Sequence, residues 1–182
     1  MLYEVDMKKF VRMAVLPILL ACVALVAQAQ SGWKEYVYAE DGFAVSTPAQ
    51  PTFESTPAET GLGSVDAHNY TVDLGNDNKV GISTTDLKMG QGLDPKLMLE
   101  AVKLGLAQSL QGKVVSEKEV SLGGATGVEI ELVTDANRMR IRYFFIDGKL
   151  FALMSTAPLA KSIAPETARI FDSFRLVGGK SK

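Results

Sequence analysis

The chain has 182 residues, 47% of them hydrophobic and 22% charged, with a formal net charge of −2. This length suits one domain with its own core, and the near balance of 19 basic and 21 acidic side chains argues against a broad nucleic-acid-binding surface. A single cysteine, Cys22, leaves no pair for a disulfide within the chain.

The first 29 residues have the organisation of a secretory signal peptide. A basic region at residues 8–12 precedes an apolar stretch at residues 14–27, which is shorter than the roughly 20 residues that cross a bilayer. Residues 27–29 have the small-x-small pattern of a cleavage site. We therefore expect residues 1–29 to be removed and residues 30–182 to form a single exported domain, periplasmic or extracellular in a bacterium.

Cys22 leaves a second interpretation of this segment open. Residues 19–22 resemble a bacterial lipobox, whose cysteine is lipidated and becomes the mature N-terminus. Residues 23–26 continue the apolar stretch where a polar tether would normally follow, so cleavage without lipidation is favoured. Membrane anchoring is expected only if Cys22 is lipidated. The acidic residues before Met7 favour translation from Met7 over Met1.

Short alternating segments then predict a series of antiparallel strands. The Glu40-Asp41-Gly42 turn joins the first two, at residues 33–38 and 43–46, and three more are predicted at residues 53–59, 64–74 and 79–86. Aromatic side chains alternate along the first strand and could stack on a ligand, but packing at the core or at a sheet edge is the favoured interpretation. These are Trp33, Tyr36 and Tyr38.

One amphipathic helix is predicted between Asp94 and Gly112, because Asp94 can cap it, Pro95 suits its first position and Gly112 suits its end. One apolar stripe should cover a sheet face; it consists of Met98, Leu99, Val102, Leu106 and Leu110. A second, which we call the Leu97 ridge, consists of Leu97, Ala101 and Leu104 on the far side. The ridge either lies under the loop at residues 89–93 or contacts a protein partner.

After a strand at residues 114–122, residues 127–156 predict a three-stranded meander around which the rest is organised. In the first hairpin, charge pairing sets Asp135 opposite Arg138 and Glu131 opposite Arg142. This register puts the apolar residues of both strands on one core face: Val128, Ile130, Leu132, Met139, Ile141, Tyr143 and Phe145.

Asp147-Gly148 has the composition of a type I′ turn and closes the second hairpin. Its register sets Ile141 opposite Met154 and Phe145 opposite Leu150 on the core face, and Phe144 opposite Phe151 on the other. Because the second face is also partly apolar, we expect an element to pack on each side of the sheet.

A second, shorter helix is predicted at residues 165–172 and an edge strand at residues 174–177. The order of strands, helix, strands, helix and strand predicts an α+β fold. It consists of an antiparallel β-sheet of about seven to nine strands with helices packed on both faces.

The opening residues 38–48 (YAEDGFAVSTP) and the closing residues 168–176 (ARIFDSFRL), with the helix and meander between them, resemble the PsbP/Mog1-like superfamily, which includes exported bacterial proteins of unknown function. The resemblance implies an α/β/α sandwich without an active site common to the superfamily. Its better-known members act by binding, as accessory proteins of photosystem II, a small-GTPase-binding protein and chaperone-like bacterial proteins. The resemblance transfers no functional residue and no cofactor to this chain.

His68 is the only histidine, and no Gly-x-Ser-x-Gly motif accompanies it, so a catalytic triad is not predicted. Asp66 and His68 share a strand face but supply two ligands where zinc needs three or four. A partly exposed strand histidine is the favoured interpretation. A turn rich in oxygen ligands suggests calcium, but its spacing is not that of an EF-hand and its residues are ordinary turn formers: Asp73, Asn76, Asp77 and Asn78.

Three arginines line one strand face: Arg138, Arg140 and Arg142. In the predicted register Asp135 and Glu131 offset two of them, and Arg140, opposite Val133, is the candidate anion contact. The glycine pairs at residues 61–63 and 90–92 lack a third glycine and a Walker lysine, so no nucleotide cofactor is predicted.

These features favour a non-catalytic, exported binding or accessory domain, of a protein-binding or chaperone-like kind, that uses a sheet face or the Leu97 ridge. The alternative is a carrier of an apolar small molecule or lipid, held between sheet and helix. A deep apolar pocket under the helix stripe would favour the carrier, and a filled core with an exposed patch would favour protein binding. No metal, cofactor or nucleic acid is predicted.

The N-terminus of the exported protein distinguishes the two interpretations of Cys22. Mass spectrometry is expected to find a mature chain that begins at Gln30 and carries no acyl group, with or without the substitution Cys22→Ala. An acylated N-terminal Cys22, lost in Cys22→Ala, would instead establish the lipobox interpretation.

Overall fold

The described part of the chain comprises residues 32–60, 63–87 and 94–178 of a computed structural model, with the backbone alone for residues 59 and 60. The predicted signal peptide with Cys22, Gly61-Leu62 and the loop at 89–93 lie outside it. The elements in chain order are β1 (Lys34–Tyr38), β2 (Phe43–Thr47), β3 (Thr52–Thr60), β4 (Gly63–Gly75), β5 (Asn78–Asp86), α1 (Pro95–Ser109), β6 (Lys113–Leu122), β7 (Ala125–Val133), β8 (Asn137–Ile146), β9 (Lys149–Pro158), α2 (Glu166–Ser173) and β10 (Arg175–Leu176).

Seven of these strands form one antiparallel sheet in the order β3-β4-β5-β9-β8-β7-β6. The remaining three form a second sheet in the order β1-β2-β10, which the sequence did not predict as a separate unit. The predicted final edge strand is confirmed, because β10 pairs with β2 alone, at the edge of this small sheet.

The large sheet is covered on both faces, as predicted. Helix α1 packs on one face, where Leu99 lies against a core cluster that includes Ile130, Leu132 and Tyr143. The small sheet and α2 pack on the other. There the rings of Phe43 and Tyr70 are 5.2 Å apart, those of Phe151 and Phe174 are 5.9 Å apart, and Ser155 and Thr167 share a buried hydrogen bond of 2.9 Å.

Helix α1 begins as its sequence predicts and buries the predicted stripe. The Asp94 side chain accepts a hydrogen bond of 2.9 Å from the Lys96 backbone amide, and Pro95 occupies the first turn. The stripe residues Met98, Leu99, Val102, Leu106 and Leu110 all pack against the core cluster. At the C-terminus the left-handed residue is Gln111, with φ 49°, rather than Gly112. Gly112 is required for a different reason, since a Cβ there would lie 2.1 Å from Leu132 Cδ2.

The meander has the predicted faces, and its second hairpin has the predicted register. Ile141 pairs with Met154, Phe144 with Phe151 and Phe145 with Leu150. The turn residues Asp147 and Gly148 both have positive φ, 51° and 83°, as a type I′ turn requires.

The predicted register of the first hairpin is wrong by two residues. Glu131 pairs with Arg140 and Val133 with Arg138, because the chain turns one residue earlier than charge matching suggested. The Thr134 hydroxyl accepts a hydrogen bond of 2.9 Å from the Asn137 amide, and the Thr134 amide donates one of 2.9 Å to the Asn137 carbonyl. A slip of two residues preserves both faces of a strand, so the core assignment is unaffected.

Both edges of the large sheet carry features that interrupt strand pairing. In β6 the register shifts between Val114 and Ser116, and the exposed positions include Lys113, Glu117, Lys118 and Glu119. In β3, Pro57 lacks a backbone N–H for pairing.

Gly127 provides a test of the observed register. It pairs with Phe144, and a Cβ at this position would lie 2.2 Å from the Phe144 ring and 2.6 Å from the Tyr143 carbonyl oxygen. Gly127→Ala is therefore expected to lower the free energy of unfolding by about 1–3 kcal/mol through overpacking, as measured by urea denaturation.

The control is Gly81→Ala in β5, where the added Cβ would have no contact closer than 4.0 Å. It should be neutral, or stabilising by up to about 1 kcal/mol. Equal effects of the two substitutions would contradict the observed register.

Candidate functional site

A buried polar cluster centres on Asp41, in the turn between β1 and β2. Its carboxylate is buried and accepts three hydrogen bonds from the large sheet. His68 Nδ1 lies 2.8 Å from Oδ1, Thr84 Oγ1 lies 3.1 Å from Oδ1, and the Tyr70 hydroxyl donates to Oδ2. Lys149 Nζ adds a hydrogen bond of 3.2 Å to the Asp41 backbone carbonyl. We call these residues the Asp41 cluster.

Strand periodicity brings the donors together. His68 and Tyr70 are two residues apart on β4 and therefore point to the same face, and His68 pairs directly with Thr84 on β5. Asp41 reaches this face from the small sheet, because Gly42, with φ 81°, turns the chain tightly after it. The cluster thus connects the two sheets through side chains.

The hydrogen bonds keep Asp41 ionised. Burial raises the pKa of the carboxyl, but the hydrogen bonds from Tyr70, His68 and Thr84 outweigh burial and leave that pKa below its ordinary value. Burial, and then the hydrogen bond to Asp41, raise the pKa of Tyr70 far above its usual range. Since an ionised carboxylate only accepts hydrogen bonds, His68 Nδ1 must carry the donated proton, which leaves Nε2 directed away from Asp41.

A cleft of about 360 Å³ adjoins the Asp41 cluster. It is lined by Glu40, Asp41, Ser64, Val65, Asp66, His68, Thr84, Asp86 and Lys149. The prediction that Asp66 and His68 share a face is confirmed, since both line this cleft, and the His68 side chain is 39% exposed. Within residues 32–60, 63–87 and 94–178, no group of three or more His, Cys, Asp or Glu side chains is placed to hold a metal ion.

Sequence reasoning missed Asp41 and Thr84. The expectation that His68 is a partly exposed strand histidine is confirmed, since its side chain is 39% exposed, but its contact with Asp41 was not predicted. Asp41 was interpreted as an ordinary turn residue because Glu40-Asp41-Gly42 has turn composition. The one available signal was Thr84, a polar residue that follows the buried apolar residues Val80 and Ile82 on one face of β5.

A second cavity, of about 550 Å³, lies where the N-terminal end of α1 meets β6 and β7. We call it the α1 cavity. Its apolar lining consists of Pro95, Leu99, Ala125, Val128 and Phe145, and its polar lining of Asp94, Lys96, Glu100, Glu117, Glu119 and Thr126.

One amine connects the two walls beside the α1 cavity. Lys103 Nζ on α1 lies 2.8 Å from Glu100 and 3.0 Å from Glu117 on β6. Beneath α1 the Tyr143 hydroxyl is buried with no hydrogen-bond partner in the described part of the chain. Burial raises the pKa of Tyr143 to about 12, with an opposing effect of Lys103 and smaller additions from Glu117 and Glu100.

The Leu97 ridge lies on the opposite side of α1 from the core. Leu97 is 69% and Leu104 66% exposed, and Ala101 between them is exposed. The loop at residues 89–93, which was expected as one possible neighbour of the Leu97 ridge, lies outside the described residues.

The argument that singled out Arg140 is wrong, because the observed register places it opposite Glu131. Arg140 Nη2 lies 3.1 Å from Glu131 Oε1, while its Nε is buried and has no hydrogen-bond partner among the described residues. Arg142 pairs with Glu129 at 2.7 Å. Anion binding by Arg140 stays a prediction without the register argument.

The oxygen-rich turn has protein partners in the structure. Asp77 pairs with Lys161 at 2.8 Å, Asp73 accepts a hydrogen bond of 2.8 Å from the Gly75 amide, and Asn78 Oδ1 accepts one of 3.1 Å from the Ala164 amide. These contacts stabilise the turn and attach the segment before α2 to it.

No family model and no curated protein matches the chain. Among solved structures, cyanobacterial PsbP (CyanoP) from Synechocystis sp. PCC 6803 is similar, with a TM-score of 0.52 and 11% sequence identity over 80% of this chain and 92% of that chain. The chain has a PsbP-like fold. The fold expected from the family resemblance is therefore confirmed, and at 11% identity the similarity to PsbP concerns the fold alone.

A second similar structure is PA94, a protein of unknown function from Pseudomonas aeruginosa. It has 16% identity and a TM-score of 0.39 over 70% of this chain and 84% of that chain, which is too low to support an argument. Within the described residues of the PsbP-like domain, neither helix has the length and apolar character that a membrane span requires.

Asp41→Asn tests the Asp41 cluster. It is expected to lower the free energy of unfolding at pH 7 by about 2–3 kcal/mol, because hydrogen bonds to a buried charged group are weakened or lost. Asp66→Asn, on the exposed wall of the same cleft, is the matched control and should change it by less than about 0.5 kcal/mol.

The effect should also depend on pH. Since the folded-state pKa of Asp41 is lowered, its contribution is complete above the unfolded-state pKa of about 3.9 and is lost as pH falls through the lower folded-state value. In urea denaturation, the difference between wild type and Asp41→Asn should therefore shrink below about pH 4. A difference that grows towards acid pH would contradict this role.

Proposed function

We propose that residues 30–182 form an exported, non-catalytic binding or accessory domain that contacts a protein partner through the Leu97 ridge. Export is proposed on the signal-peptide pattern of residues 1–29. The contact is proposed on a single observation, the two leucines that α1 exposes by about two-thirds, Leu97 at 69% and Leu104 at 66%.

The exposed leucines are informative because the other side of the same helix is already buried. Leu99 is 4% exposed, and the core beneath it is filled by Ile130, Leu132 and Tyr143, all at 0%. The domain therefore does not need the Leu97 ridge for its own core. An apolar stripe spaced along a rigid helix suits contact with the apolar surface of another protein.

The Asp41 cluster supports a non-catalytic role. The Thr84 hydroxyl donates to Asp41 rather than lying on His68 Nε2, so it is not placed as a nucleophile for that histidine. Each donor reaches the same carboxylate from the large sheet, which fits an interaction that holds two sheets together.

A second candidate function is a carrier, and the α1 cavity favours it. Its volume, about 550 Å³, is in the range of ligand-binding pockets, and it lies between helix and sheet as the carrier hypothesis requires. The cavity occupies one end of α1, whereas the core under the middle of the helix is filled. We therefore place the carrier second to protein binding.

Photocrosslinking in the producing cell tests the protein-binding proposal. A photoreactive residue at position 97 or 104 is expected to give one discrete adduct, identified by mass spectrometry, because these side chains would lie inside the contact. The same residue at position 159, where Leu159 is 40% exposed on another part of the domain, should give none.

The substitution Leu97→Glu should reduce the adduct from position 104 at least about tenfold, equivalent to about 1.4 kcal/mol, since it places a charge in an apolar contact. Its free energy of unfolding should stay within about 0.5 kcal/mol of wild type. Equal adduct yields at positions 97, 104 and 159, or an adduct insensitive to Leu97→Glu, would contradict the proposal.

A further inference from the structure

We infer that the α1 cavity binds an amphipathic cation, a molecule with one ammonium head and an apolar tail. The inference rests on the carrier function proposed above and adds to it the charge and polarity of the ligand. It is carried by the arrangement of an apolar floor and an acidic mouth in one cavity.

The floor suits an apolar tail. Leu99 and Phe145 are 4% and 5% exposed and belong to the buried core cluster, and Val128 packs partly buried against it. A ligand tail laid against these side chains would leave water without any rearrangement of the core. Such preformed apolar cavities with a few polar groups at one side are typical of small-molecule sites.

The mouth is acidic because of strand register as well as composition. Glu119 pairs with Val128 and Glu117 pairs with Ile130, so both carboxylates lie on the side of the edge strand that faces α1. Glu100 faces them from the helix and is joined to Glu117 through Lys103. Three carboxylates from two elements thus converge at the entrance.

The charges at the mouth are not balanced by the protein. Asp94, Glu100, Glu117 and Glu119 supply four carboxylates against the amines of Lys96 and Lys103. Asp94 caps α1, and Lys103 is shared by Glu100 and Glu117. Glu119 has no ion pair within the described part of the chain, which makes it the natural partner of a ligand ammonium. A carboxylate or sulfate head would be repelled at the same position.

Calorimetric titration of the exported mature protein at pH 7 tests the inference with three probes of equal chain length: decylamine, decanol and decanoate. Decylamine, charged at this pH, is expected to bind at least about tenfold more tightly than either of the others. Glu119→Gln should weaken decylamine binding about fivefold and leave decanol unchanged. Glu54→Gln, on the exposed far edge strand β3, is the matched control and should change neither.

A second substitution locates the site. Thr126→Phe, on the face of β7 that carries Val128, would fill the cavity and should abolish binding of every probe while the thermal unfolding transition is retained. Decylamine binding that survives Thr126→Phe in a folded protein would overturn the inference. Equal affinities for decylamine and decanol, with no effect of Glu119→Gln, would also overturn the inference of a cationic ligand. The carrier proposal itself would be unaffected by that result. Failure of all three probes would overturn the carrier as well, without affecting the test of the Leu97 ridge.

Discussion

One buried carboxylate determines how the two sheets of this domain meet. Asp41 belongs to the small sheet, and its hydrogen-bond donors His68, Tyr70 and Thr84 belong to the large one. A charge that is withdrawn from water must keep its partners, because leaving it unpaired is far more costly than the net gain from pairing. Apolar packing, such as the 4.1 Å ring contact between Tyr38 and Tyr70, tolerates small displacements, whereas the Asp41 cluster specifies one arrangement.

The meander shows which parts of the fold could be predicted from sequence. Alternation of apolar and polar residues identified both faces of the meander. Asp147-Gly148 identified the second hairpin, because a type I′ turn needs positive φ at both central positions and therefore favours this dipeptide. The turn of the first hairpin contains no such dipeptide. A slip of two residues keeps every side chain on its face and still matches Glu131 with an arginine, so charge could not distinguish the registers. The hydrogen bonds between Thr134 and Asn137 decide it.

The candidate sites depend on contacts that periodicity does not describe. Period two placed Asp66 and His68 on one face, but the burial of Asp41 arises only when the small sheet docks against β4 and β5. The α1 cavity likewise depends on where the N-terminal end of α1 lies relative to β6 and β7. The stripe of α1 could be predicted because it needs only helical spacing. To predict the α1 cavity at one end of this stripe, the positions of β6 and β7 would also have to be known.

The interruptions along β3 and β6 protect the sheet against aggregation at its edges. A polypeptide that emerges unfolded beside many copies of itself is exposed to intermolecular strand addition, and its outermost strands are where fibril growth would start. The proline in β3 and the bulge with alternating Lys and Glu in β6 make each border a poor template for further strands. Pairing with further strands is thereby disfavoured at both edges, and the sheet remains seven strands wide.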